Sequence, residues 1–226
     1  MATVREALER QRQAEQDFVA DARDNEKAPQ GWPAALIMFH CSMWRERMLH
    51  AMLAIAEGRP QPPPPGNVDD VNDAELASGI GTPLADAAAR SDKLFAEIID
   101  LHEKLGDRPI EWNTAKTITE AVLRNSYIHP RNHMAEYRRQ NGDSEGARRM
   151  AEESAQWMRE VDAPPLILGV AIYNLACTRA AQGRKDESLD LLGEALAMRP
   201  DLKPAAADEP ELAALRDDPR FQALLK

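Results

Sequence analysis

Between residues 127 and 137 the chain reads YIHPRNHMAEY, which puts His129, His133 and Glu136 four and then three positions apart. An α-helix turns about 100° per residue, so these side chains share one face over roughly two turns. Two imidazoles and a carboxylate at that spacing suit a divalent metal site. They also suit a hydrogen-bonded polar patch at the end of a helical bundle, and an HxxxH pair taken alone is more often a cap or a surface feature than a ligand pair. Two histidines fall one short of the three protein ligands usual in an open metal site. His40, in FHCSMW at 39–44, lies among the inward-facing Leu36, Ile37 and Trp44. It can reach the end of an antiparallel helix carrying His129 and His133. Pro130 is expected to remove the backbone bond to Ser126 and kink that helix, at a cost of about 3 kcal/mol unless something compensates. Aiming two histidines is one such compensation.

Each of these residues has a plainer reading. Glu136 could be a fourth ligand or an acceptor behind a histidine N–H, whereas a salt bridge to Arg139 or Arg131 asks for less. His50, nearly three turns past His40, reads as a rim residue, and His102, flanking Ile98 and Ile99, as a core-edge histidine. Cys41 adjoins His40 but sits in an apolar helical pattern and reads as a buried, inert thiol; with Cys177 in the other half of the chain, no disulfide framework is expected. Trp32, Trp44, Tyr127 and Tyr137 could line a pocket, although packing is their simplest role. The sequence has no GxSxG elbow, no phosphate-binding GxxxxGK[ST] loop, no GxGxxG after a strand and no HExxH. No catalytic residue is therefore assigned, and any chemistry would have to run through a bound ion. The expected cofactor is a divalent metal, zinc or nickel first, because imidazole nitrogen also ligates iron and copper and spacing does not name the metal.

These donors need elements to hold them. The chain has 226 residues, 43% of them hydrophobic, enough for one sizeable core or two modest ones. A formal charge of -10 works against binding a phosphate backbone, so nucleic acid is not an expected partner. No apolar run approaches the roughly 20 residues of a membrane span, and MATVREALERQRQ is charged from its start, so a cytoplasmic protein without a membrane partner is expected.

Helical periodicity dominates and no alternating or β-branched run suggests a sheet, so the fold class expected is all-α. A first helix is expected over residues 3–24 with Val4, Leu8, Ala14, Phe18 and Ala22 on one stripe, and a second from Pro33 to about Glu57. GRPQPPPPG then predicts a long, stiff connection over residues 58–73. Thr82 and Pro83 read as the N-cap and first residue of a third helix, and Asn113 as the cap of a fourth. The fourth helix presents Ala115, Ile118, Val122, Asn125 or Ser126, His129, His133 and Glu136 inward, an apolar stripe that turns polar along its length. Four helices with one long crossover describe a four-helix bundle, whose interior commonly builds metal sites. In AIYNLACTRAAQGRKDESLDLLGEALAMRP, residues 171–200, small residues at Ala176 and Ala195, a turn at Gly183 and the closing Pro200 read as a tetratricopeptide-like hairpin, with a fainter copy about 41 residues upstream. One unit plus fragments is too little for a free-standing solenoid, so this half is expected to dock on the bundle or self-associate, with a homodimer as one form.

GWPAALIMFHCSMWRERM, the Pro-rich crossover and HPRNH together resemble the DinB-like four-helix bundle superfamily, which includes thiol-dependent S-transferases and mycothiol-dependent maleylpyruvate isomerases. The resemblance covers about residues 1–141, and AAADEPELAALRDDPRFQALL with AIYNLAC is similar to the segment that closes tetratricopeptide arrays, within 142–226. The first resemblance implies one histidine from the second helix and an HxxxH pair from the fourth on a divalent metal, here His40, His129 and His133. It also implies a metal-dependent small-molecule transferase, isomerase or hydrolase, thiol-linked in several members, with a small-molecule substrate as partner. The contrasting expectation is a non-enzymatic module that offers its C-terminal hairpins to a partner protein while the histidines only hold the bundle end together.

Overall fold

The computed structural model describes residues 2–25, 30–64 and 66–226. Backbone contacts divide the chain after Ser144 into two compact units. Among the described residues the protein is all-α, about 78% helical, with eleven α-helices and one two-stranded ribbon. None of those helices is long and apolar enough to cross a membrane.

In the first unit α1 (Val4–Asn25) opens on a reciprocal cap: Thr3 Oγ1 accepts from the Glu6 N–H at 3.1 Å while the Glu6 carboxylate accepts from the Thr3 N–H at 2.7 Å. Its buried stripe is Leu8, Gln11, Glu15, Phe18 and Ala22, so two polar residues occupy core positions. The second helix, α2 (Ala34–Ala56), starts behind Pro33, whose fixed φ pre-forms the first turn, and ends at Gly58, which adopts a left-handed φ of +66°. It is buried on most of its circumference, and so it is the central helix of this unit. It packs against α4 (Leu84–Leu105), which also packs against α1. Phe18, Met48, Met52, Phe95, Ile98, Ile118 and Leu123 fill the interior.

Three expectations are corrected here. The connection expected over 58–73 is shorter, because α3 (Val68–Gly79) begins inside it. Asn67 caps that helix by accepting from the Asp69 N–H at 2.9 Å, and Asp69 and Asp70 favour the positive end of its dipole. Helix-start chemistry resumes as soon as the proline run ends; Pro65 itself lies outside the described residues. Thr82 makes no cap, since Pro83 occupies the N-cap position before Leu84. Asn113 does not cap a helix either: it turns a short ribbon of β1 (Pro109–Trp112) and β2 (Ala115–Thr117) at a left-handed φ of +50°, a conformation Asn tolerates. Ala115 is thus a strand residue, and Thr117 caps α5 (Ile118–Leu123) through the Glu120 N–H at 3.3 Å.

The second unit holds α7 (Ser144–Glu160), α8 (Pro165–Ala181) and α9 (Lys185–Met198), then short turns and helices, α10 (Lys203–Asp208) and α11 (Pro219–Leu225). Gly183, at a left-handed φ of +73°, turns α8 back into α9. The two helices bury Ile172, Ala176, Leu189, Leu192 and Leu196 against each other and against Leu212, Leu215 and Phe221. Ser188 Oγ donates to the Ala176 carbonyl at 2.8 Å, which satisfies the hydroxyl inside this seam.

Candidate metal centre

His40 is buried on α2, two turns after its start. The other two histidines follow a break in the helix that continues α5. Over Arg124–Ile128 the backbone widens into a π turn, and the His129 N–H reaches the Arg124 carbonyl five residues back; α6 (His129–Gln140) then resumes the α pattern. A π turn inserts one residue, which rotates everything after it by about 100° relative to an uninterrupted helix. The expected kink at Pro130 is absorbed in this way. The proline ring would collide with the Ser126 carbonyl in a regular helix, and the widened turn removes that collision. The freed carbonyl accepts from Arg45 Nη2 at 3.3 Å.

The three rings meet. His129 Nε2 lies 2.9 Å from His40 Nε2 and 3.0 Å from His133 Nε2, and ring centroids are 4.7–4.8 Å apart in edge-on pairs. Trp32 stacks on the His133 ring at 5.2 Å and meets His40 edge-on, while Trp44 closes the other side of His40 at 6.4 Å. Burial disfavours the charged imidazolium. It holds His40 down at about 3, with the neighbouring His133 adding repulsion, holds His133 at about 4, and holds His129 well below the ordinary range. All three are neutral at pH 7, the state in which a ring nitrogen can ligate a metal.

This donor set fits a cation better than it fits itself. A neutral imidazole nitrogen carries either a proton or a lone pair. His129 Nε2 has one proton or one lone pair for two neighbours, so hydrogen bonding among the three facing nitrogens satisfies only one of the two contacts. A metal ion shared by three lone pairs removes that conflict, and the group could hold one. His40 Nδ1 is buried with no hydrogen-bond partner among the described residues, so aromatic packing rather than a hydrogen-bond acceptor orients that ring.

The remaining candidates lie elsewhere or do other work. Glu136 pairs with Arg139 and accepts from Gln140 Nε2 at 2.6 Å, rather than from a histidine. His50 is exposed. His102 is half-buried and its Nε2 faces Thr119 Oγ1 at 3.1 Å. The Cys41 thiol is buried and pushed up to about 12, which leaves it protonated and unreactive. Beside His133 a cavity of about 270 Å³ is lined by Trp32, Ile37, Tyr137 and, at its polar side, Glu136 and Gln140.

Set against known protein families, curated proteins and solved structures, the chain matches none of them.

Sequence reasoning missed the polar network next to the site. Arg45 is fully buried, donates from Nη1 to Glu15 Oε2 at 2.7 Å and to Ser91 Oγ at 2.7 Å, and from Nη2 to Glu15 Oε1 at 2.6 Å. Gln11 Nε2 adds a bond to Glu15 Oε1 at 2.9 Å, and the Phe95 ring lies 3.9 Å from the guanidinium carbon. A signal was present: Gln11 and Glu15 continue the spacing of Leu8, Phe18 and Ala22, so a helix read for its inward face shows polar side chains where apolar ones belong.

Proposed function

We propose that residues 2–144 form a four-helix bundle of the DinB-like kind, built from α1, α2, α4 and the broken helix α5–α6, and that it binds one divalent metal through His40, His129 and His133. The observation that carries this reading is the approach of His129 Nε2 to both other Nε2 atoms within 3.0 Å. Three imidazole ligands leave a coordination position for water or substrate, and such a set suits zinc or nickel. A bound ion supplies Lewis acidity and lowers the pKa of the thiol or water it coordinates.

The chain's own residues do the rest. Burial keeps the rings unprotonated, Trp32 and Trp44 fix the ring planes, and the cavity beside His133 gives a small molecule access to the site. A metal-dependent transferase, isomerase or hydrolase of small, thiol-linked substrates is the function class this supports. We assign the α8–α9 hairpin to a tetratricopeptide-like arrangement, on the strength of the Gly183 turn and the small residues at Ala176 and Ala195.

Elemental analysis of the purified protein, with thermal melts before and after chelation, tests the metal. The expected result is about one zinc or nickel per chain and a lower Tm once it is stripped, since a ligand that binds only the folded state stabilises it. His129→Ala abolishes occupancy. A metal-free preparation that takes up neither ion, with a melt that His129→Ala leaves unchanged, overturns the reading.

A further inference from the structure

His40 belongs to α2, whereas His129 and His133 follow the π turn, so their rings converge only if those two stretches keep a fixed register. Without a cation the histidines cannot fully supply that register, because His129 Nε2 has one proton or one lone pair to share between two neighbours. Arg45 can. It sits on α2 five residues past His40, about 7.5 Å further along the axis, and its Nη2 donates to the carbonyl of Ser126, three residues before His129. That carbonyl is the one Pro130 deprives of its usual i+4 donor. One guanidinium therefore ties the segment bearing His40 to the turn that aims the other two ligands.

Stability alone is a poor account of this arrangement. Replacing a buried ion pair with apolar side chains of similar volume is often neutral or stabilising, so stability does not by itself account for burying Arg45 and Glu15. Glu15 engages both terminal nitrogens of Arg45, which fixes the plane of the fork, and Ser91 Oγ takes the remaining direction of Nη1. Glu15 also neutralises a charge that would otherwise repel a cation at the histidines. We propose that Arg45, oriented by Glu15, is the positioning residue of the histidine cluster, holding the π turn against α2 so that His129 and His133 meet His40. The proposal rests on the metal-binding reading above.

The test uses the full-length, metal-stripped protein, Co²⁺ as a visible probe and Zn²⁺ in competition. Two variants separate the possibilities. In Glu15→Leu/Arg45→Met apolar side chains replace the ion pair. In Arg45→Lys the positive charge beside Glu15 stays, but the arm to Ser126 is lost. The expected result is that both keep their helical circular dichroism, bind Co²⁺ about 10- to 100-fold more weakly, and show altered Co²⁺ absorption bands. If the double variant fails to fold, Arg45→Lys decides alone. Wild-type affinity and an unchanged Co²⁺ spectrum in Arg45→Lys overturn the positioning role while leaving the metal reading standing. A wild-type protein that binds no Co²⁺ and is indistinguishable from His129→Ala overturns both.

Discussion

The interiors of the two units are built on different terms. In residues 2–144 the core includes buried Gln11, Glu15, His40, Arg45, Asn125 and Arg131, while among the described residues of 145–226 the buried polar side chains are only Ser154 and Ser188. Among the described residues Gln11 Oε1, His40 Nδ1 and Arg45 Nε are buried without a hydrogen-bond partner, and all three lie in the first unit. Unsatisfied buried groups cost free energy, and a chain that needed only a stable fold would replace them with apolar side chains. The α8–α9 seam follows the ordinary rules of packing. The α1–α2 core departs from them beside three converging imidazoles, the place where a candidate site is expected to break local rules.

The largest effect expected from this contrast is the loss of one buried charge partner. Arg45→Met alone strands the Glu15 carboxylate and should destabilise the first unit by about 3–5 kcal/mol. Hydrogen exchange read by mass spectrometry should localise that loss to α1, α2 and α4, and uniform loss through α8 and α9 would break the comparison. In the second unit Leu192→Ala opens a cavity in a mostly apolar seam and should cost about 2–5 kcal/mol, with faster exchange confined to α8 and α9.

Acid separates the units more gently. In the metal-free protein the three histidines stay neutral well below 6.5, whereas in the unfolded chain they take up protons near 6.5. Protons therefore bind preferentially to the unfolded state between about 6.5 and 4, and stability falls as pH drops through that window. Paired carboxylates such as Asp92 and Glu75 titrate below their ordinary 3.8 and 4.5, so their loss comes at lower pH. Urea midpoints followed from pH 7.5 to 5 should decline in wild type and decline less in a His40→Phe/His133→Phe variant. Equal slopes would show that the cluster is not buried as described. The smallest effect belongs to Glu136→Ala, which removes a half-exposed pair with Arg139 worth a few tenths of a kcal/mol and should leave zinc affinity unchanged in a competition titration. A tenfold loss would return Glu136 to the role of an acceptor behind a histidine N–H.

Helix content was legible because periodicity of 3.6 residues and the stops at Gly58, the proline run and Gly183 are written in neighbouring residues. His40, His129 and His133 were legible as donor types at ligand-like spacing, and Pro130 as a disturbance. The ribbon turned by Asn113 and the start of α3 at Asn67 were misread because short elements carry too few residues for a period to emerge, and a cap residue looks the same in a turn as at a helix start. Glu15 was passed over because a polar residue among apolar ones has no partner until the fold supplies Arg45, 30 positions away.

From the order of its residues alone the chain settles that it is helical, where most of its helices run and which side chains are able to ligate. Tertiary structure alone decides that Nε2 atoms 89 residues apart approach to 2.9 Å and that a π turn rotates His129 toward α2. It also decides that a buried guanidinium takes up the carbonyl a proline leaves behind. The reason is physical: periodicity and capping act over a few residues, whereas ring convergence and ion pairing depend on distances that only packing sets.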